Sequence, residues 1–216
     1  MDKRFAIFDM DGTLVDSMVY WKHLATEFLE SKGVRTISPD ILERIKPMTM
    51  TESAALFIQE YGLSGTAESV AAEMNAMMDE HYRRDIPLKA GVAAYLEALG
   101  KRGVSMCVAS ATAEELMEAC LARLGVAGHF SFLLSCEAVG SGKNRPDVYL
   151  EAARRLGAQP EEIAVYEDAL YAAKTAAQAG FYTIAVEDIS NQPHWETLTA
   201  FADEAILDWQ RAAQTL

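Results

Sequence analysis

Cysteine is scarce: Cys107, Cys120 and Cys136 are the only three in 216 residues. They form no CxxC pair, and an odd number closes no disulfide framework. Reduced thiols and a cytoplasmic setting are the expectation. The four histidines, His23, His81, His129 and His194, fall in no HExxH, so the common zinc-hydrolase signature is missing. No stretch approaches the roughly 18 apolar residues of a membrane span. The apolar run after Lys3 and Arg4 is broken by Asp9 and Asp11, which does not fit a signal peptide. Positive charge is short as well: 19 basic against 32 acidic side chains leave a formal net charge of −13. That excludes bulk binding to nucleic acid, which needs a basic face to displace phosphate counterions. It excludes an anionic membrane surface for the same reason. It does not exclude a small anionic substrate, because a site can be locally positive on an acidic protein. There is no repeat, no low-complexity segment and no long linker.

What is present is half hydrophobic, enough for a core of ordinary size. Short apolar runs at 5–10 (FAIFDM), 104–109 (VSMCVA), 131–136 (SFLLSC), 163–166 (IAVY) and 182–186 (YTIAV) predict strands, with a short sixth at 205–207. Cys107 and Cys136 lie in these runs, as small core residues do. Between the strands, apolar positions recur at three- and four-residue spacing around 92–99 and over 113–124, 146–156 and 169–179. Pro146 suits a first helical turn, and Gly157 and Gly180 suit helix ends. Alternating strands and helices predict an α/β, Rossmann-like, doubly wound parallel sheet. From 16 to about 86 the rhythm breaks into four helical segments: 18–32, 39–46, 51–61 and 66–84. In the last, Met74, Met77, Met78 and His81 share a face that reads as packing. The expected organisation is a core domain, 1–15 and 88–216, interrupted by a helical domain, 16–87. Pro87 and Gly91 make the second crossing a candidate hinge.

In an open parallel sheet, ligands bind beyond the carboxyl ends of the strands. The first expected strand is followed by Asp9-Met10-Asp11-Gly12-Thr13 and the second by Ser110-Ala111-Thr112. The third leads to a loop with Gly140, Gly142 and Lys143, and the fourth to Glu167-Asp168. Four carboxylates at one rim repel unless they protonate or a cation joins them. Hard oxygen ligands select Mg²⁺, which binds through one or two carboxylates plus substrate phosphate. Lys143, Ser110 and the backbone N–H groups of the Asp11-Gly12 turn are candidate phosphate donors. Of two carboxylates two residues apart on an extended strand end, one can attack phosphorus while the other handles the leaving-group proton. Plainer readings exist for single residues. Asp-Gly suits any turn, Ser110 or Thr112 could cap the helix that follows, and Glu167 could be structural. The 140–143 stretch is no P-loop, because Asn144 stands where Ser or Thr is required.

Taken together, these motifs resemble the haloacid dehalogenase superfamily of phosphohydrolases. Residues 9–17 (DMDGTLVDS) match its first motif, Ser110 after VSMCVA the second, Lys143 with Pro146-Asp147 and Tyr149 the third, and Glu167-Asp168 with Ala176-Ala177 and Ala179-Gly180 the fourth. The match covers nearly the whole chain in order, and the helical insertion resembles the cap of the subgroup holding phosphoglycolate phosphatase and β-phosphoglucomutase. The resemblance implies Asp9 as nucleophile and Asp11 as general acid, then base. It implies a Mg²⁺ site of the Asp9 carboxylate, the Asp11 carbonyl and Asp168, with Glu167 acting through water. Ser110, Ala111, Gly12 and Lys143 would hold the phosphoryl group. The implied protein is a monomeric phosphatase acting on a small phosphorylated metabolite. A phosphomutase is the alternative, and a catalytically silent phosphate-binding protein a remote one. Trp21 stands where the mutase has a histidine, which disfavours the mutase.

Two departures, Asn144-Arg145 after the lysine and Ala169-Leu170-Tyr171-Ala172 after Asp168, touch no charged catalytic position. In the insertion, Trp21 on the first helix and the loop with Lys46, Met48 and Thr49 are candidate substrate contacts. The plainer reading of that loop is a turn capped by Thr51.

Overall fold

The computed structural model describes residues 2–216. Six strands run β1 (Phe5–Phe8), β2 (Ser105–Ser110), β3 (Phe130–Ser135), β4 (Ile163–Glu167), β5 (Tyr182–Val186) and β6 (Glu204–Ile206). All pair in parallel, in the order β3-β2-β1-β4-β5-β6. The chain steps from β1 out to β3 and then returns to the other side of β1. The sheet therefore switches direction beside β1, where doubly wound folds place their ligands.

The helices of this part are α5 (Val92–Lys101), α6 (Glu114–Arg123), α7 (Cys136–Val139), α8 (Asp147–Leu156), α9 (Leu170–Gln178), α10 (Trp195–Phe201) and α11 (Trp209–Thr215). Both sheet faces are covered. Ala6, Phe8, Val108, Ala164 and Tyr166 pack with residues of α5, α6 and α11. Ile7, Cys107, Ala109 and Val165 pack with α8 and α9. Strands buried on both faces read as unbroken apolar runs rather than alternating ones, which is why β1 to β5 were legible at length, while β6, three residues long, showed only as the short run at 205–207. Phe8 stacks on Tyr166 with ring centroids 4.2 Å apart.

Several element ends differ from the sequence reading. β1 stops at Phe8, because the Met10 carbonyl turns back to accept the N–H groups of Leu14 and Val15 (2.8 and 3.1 Å). Cys136 opens α7 instead of ending a strand. Helices α10 and α11 were not foreseen, since seven residues are only two turns and carry little periodicity.

Between β1 and α5 lie α1 (Met18–Ser31), α2 (Pro39–Ile45), α3 (Met50–Tyr61) and α4 (Ala67–Arg84). They pack through Leu24, Phe28, Leu29, Ala54, Phe57, Val70, Met74 and Met78, all buried. The stripe of Val70, Met74, Met78 and Tyr82 follows the four-residue helical repeat. His81, expected on that face, turns outward to Asp85 (2.9 Å) and lies on the Tyr20 ring. Thr51 does not cap α3. Thr49 does, its hydroxyl accepting the Glu52 N–H (3.1 Å) while the Glu52 carboxylate accepts the Thr49 N–H (2.7 Å).

The two chain crossings pair with each other. The Asp16 N–H donates to the Pro87 carbonyl and the Lys89 N–H to the Leu14 carbonyl (3.0 and 2.9 Å). The Lys89 ammonium then reaches Asp188 beyond β5, at 2.6 Å.

Candidate active site

Asp9 follows β1, and its N–H continues the ladder to the Tyr166 carbonyl of β4 (3.0 Å). Ser110 ends β2 and Glu167 ends β4, so the neighbouring parallel strands deliver them to the same rim. Lys143 arrives from the loop after α7. Its ammonium sits between Asp9 Oδ1 (2.5 Å) and Glu167 Oε1 (2.6 Å), all three side chains being nearly inaccessible. The Tyr149 hydroxyl donates to the same Glu167 oxygen at 2.7 Å. Burial opposes charge on Lys143, but Asp9 and Glu167 outweigh it and hold the ammonium well above its usual range.

Asp9, Glu167 and Asp168 each offer an oxygen within 4.8 Å of the others, and all three are buried. One lysine against three buried carboxylates leaves two negative charges uncompensated. Protons then make up the difference. Burial raises the Asp9 carboxyl to about 7, Lys143 opposing and Glu167 and Asp11 adding to the rise. Asp168 is pushed well above the carboxylate range by burial, then by Asp9, Glu167 and Asp188. Among the described residues, Glu167 Oε2 is buried with no hydrogen-bond partner. A buried polar atom without a partner is costly and uncommon. An all-oxygen donor set, an excess of two negative charges and an unpartnered carboxylate oxygen fit a small hard dication.

Gly12 enters the site by having no side chain. Its φ is +81°, and a Cβ there would lie 2.5 Å from Asp168 Oδ2. Its N–H, a candidate phosphate donor in the sequence, is given to the Val15 carbonyl at 3.0 Å. Ala111 is half-buried beside Ser110, against the α8 side of the sheet. Neither Ser110 nor Thr112 caps α6, whose cap position is Ala113.

The Asp11 carboxylate stands apart from the acidic cluster. Ser17 and Tyr82 donate to Oδ1 (2.6 Å each), and Thr112 and Ser110 to Oδ2 (2.6 and 3.4 Å). Tyr82 was missed by the sequence reading, and nothing in the sequence marks it. It is an ordinary helix residue 71 positions away. Ser17 and Tyr149 lay inside quoted motifs without a role.

The insertion sits over this rim. The Tyr171 hydroxyl, in the segment that departs from the family pattern, donates to the Lys46 carbonyl (2.6 Å). The Thr51 N–H and hydroxyl donate to Glu137 (3.2 and 3.0 Å). A Cβ on Gly142 would lie 2.2 Å from the Pro47 carbonyl, so only glycine lets this loop seat. Among the candidate contacts, the Lys46 ammonium pairs outward with Glu43 (2.7 Å). Met48 packs half-buried on the core, and Thr49 is the helix cap. Trp21 is connected to the site: its Nε1–H donates to the Tyr82 hydroxyl at 2.7 Å.

A family model described as haloacid dehalogenase-like hydrolase matches residues 6–186. The chain belongs to this family. Haloacid dehalogenase-like hydrolases are enzymes, and so is this one. It is 24% identical over 178 residues to the phosphorylated carbohydrates phosphatase of Thermotoga maritima, covering 82% of each chain. It is 27% identical over 205 residues to the bifunctional riboflavin kinase/FMN phosphatase of Arabidopsis thaliana. That match covers 93% of this chain but spans only about half, 52%, of that protein. A haloacid dehalogenase-like hydrolase structure from Bacteroides fragilis superposes with a TM-score of 0.80 at 25% identity, covering 98% of this chain and all of that one. Among the described residues, no helix is long and apolar enough to cross a membrane.

Proposed function

We propose that the enzyme is a Mg²⁺-dependent phosphatase that hydrolyses a small phosphate monoester, of the phosphorylated-carbohydrate class, through an aspartyl-phosphate. One observation carries this: three buried carboxylates cluster around a single lysine that pairs with two of them, and one carboxylate oxygen has no partner among the described residues. The residues that would hold Mg²⁺ are the carboxylates of Asp9 and Asp168, the Asp11 carbonyl and Glu167. The ion would supply neutralisation of charge on Asp9 and on the phosphoryl oxygens.

The chain's own groups divide the remaining work. Asp9 attacks phosphorus, forming its O–P bond as the ester P–O bond breaks. Asp11 gives a proton to the departing oxygen. It then takes a proton from the water that cleaves the aspartyl-phosphate, so both carboxyls are restored and inorganic phosphate leaves. Lys143, which already reaches Asp9 Oδ1, and Ser110 hold the transferring oxygens. Phosphoryl transfer asks mainly for such positioning and charge neutralisation. The helical insertion acts as a cap that closes over the rim and excludes bulk water. Trp21 offers only an N–H donor, already committed to Tyr82, and so supplies no base for a mutase.

The test is release of inorganic phosphate from p-nitrophenyl phosphate, glycerol phosphates and hexose phosphates, with and without Mg²⁺. Activity that requires Mg²⁺ and is lost in Asp9→Asn is expected. Activity independent of Mg²⁺, or equal activity in Asp9→Asn, would overturn the proposal.

A further inference from the structure

The two oxygens of Asp11 are held from opposite sides. Oδ2 accepts from Thr112 and Ser110, both on the segment that ends β2. Oδ1 accepts from Ser17, at the start of the insertion, and from Tyr82 on α4. Each hydroxyl has one proton to give. The Tyr82 proton goes to Asp11, so the Tyr82 oxygen is free to accept, and it accepts from Trp21 on α1. The 3.3 Å approach of the Tyr82 and Thr112 oxygens has no proton left to bridge it when both donate to Asp11.

Tyr82 is itself pinned. It is completely buried, and burial together with Asp11 keeps its hydroxyl protonated. The Arg123 guanidinium of α6 donates to the Tyr82 carbonyl at 2.9 Å and also to the Ile86 carbonyl, tying the end of α4 to the core. A rigid phenol therefore reaches from the insertion to one specific oxygen of the residue read as general acid. A side chain held by packing and by its own hydrogen bonds is what fixes a reacting group within fractions of an ångström.

We infer that Tyr82, oriented by Trp21, is a positioning residue for Asp11, setting its carboxyl for proton transfer only when the insertion is seated on the core. The inference rests on the phosphatase reading above and on Asp11 as proton donor. Among the described residues the Tyr82 hydroxyl meets Asp11, Trp21 and Thr112 and none of Asp9, Lys143, Glu167 and Asp168, so its effect runs through Asp11. Its loss leaves three hydroxyls on Asp11. The damage is thus a part of the roughly 10²–10⁴-fold that general acid–base catalysis supplies.

Leaving-group dependence tests this. An alkoxide leaves only with a proton, whereas p-nitrophenolate leaves nearly unaided. Tyr82→Phe removes one oxygen and keeps the ring. It is expected to lower kcat/KM for glycerol or hexose phosphates by about 10–100-fold and for p-nitrophenyl phosphate by less than about 3-fold, with KM little changed. Trp21→Phe should act in the same direction and more weakly. In an Asp11→Asn background, Tyr82→Phe should no longer change the alkyl-to-aryl ratio. Partial misfolding lowers the rate on every substrate alike and leaves that ratio untouched. An unchanged ratio in Tyr82→Phe overturns the inference, and so does a changed ratio that persists in Asp11→Asn. A wild-type enzyme without Mg²⁺-dependent phosphatase activity would instead overturn the reading beneath it.

Discussion

Asp9→Asn should stabilise the metal-free protein while abolishing its activity. Burial and its acidic neighbours raise the Asp9 carboxyl from 3.8 to about 7. That is about three units, and at roughly 1.4 kcal/mol each it makes ionised Asp9 cost the fold about 4 kcal/mol. The folded state holds the proton more tightly than the unfolded one. With respect to this group, stability is therefore highest below pH 4, falls as pH rises to about 7, and stays low beyond. Asparagine is neutral throughout. At pH 8 without divalent ions the variant should gain about 2–4 kcal/mol, a melting temperature higher by roughly 4–10 °C for a chain of this size. At pH 5 the advantage should shrink to less than half. Mg²⁺ should close the gap at pH 8, since it binds the ionised site and stabilises the wild type by mass action. At pH 5 it must displace a proton and should do much less. Thermal melts of both proteins at pH 5 and 8, with and without Mg²⁺, give the comparison. A variant less stable than wild type at pH 8 without metal, or an equal Mg²⁺ shift at both pH values, would refute the charge argument.

Three other perturbations follow from the geometry. Tyr149→Phe removes a donor from Glu167 Oε1 and should weaken Mg²⁺ affinity about 10-fold, read by calorimetric titration, at a stability cost of about 1 kcal/mol. Gly12→Ala places a Cβ against Asp168 in a backbone region that glycine tolerates. It should cost upwards of about 1–2 kcal/mol in chemical denaturation and lose most activity; an unperturbed variant would show the turn can rearrange. Lys89→Ala strands Asp188, whose side chain is 3% exposed, and should cost about 3–5 kcal/mol in the same assay.

Much of the fold could be read from residue order. Runs such as FAIF and IAVY are apolar throughout because both sheet faces are covered, and their ends carry Asp9, Ser110, Glu167 and Asp168 to one rim in any parallel sheet. The helical period of α4 was legible too, but the face read from it, Met74, Met77, Met78 and His81, is shifted from the buried stripe, which ends in Tyr82 instead of His81. What escaped notice was short or long-range. Helices α10 and α11 are two turns each. The capping role of Thr49 rather than Thr51 depends on which of two threonines meets Glu52 and which meets Glu137. The Gly12 N–H, a phosphate donor by its place in the motif, is taken by the Val15 carbonyl in the folded turn.

The strand positions and the chemistry of the rim are local properties, written as apolar runs followed by acids, a serine and a lysine, and the sequence alone determined them; the order in which the strands pair is not among them. How those groups share charge is a matter of distance. That Lys143 bridges Asp9 and Glu167 and leaves Glu167 Oε2 without a partner was decided where the ends of β1 and β4 meet the loop after α7, and that a tyrosine 71 residues away holds Asp11 was decided only when the insertion packed onto the sheet. Hydrogen bonds and burial act over a few ångströms, and nothing in a linear spacing says which distant side chains will meet within them.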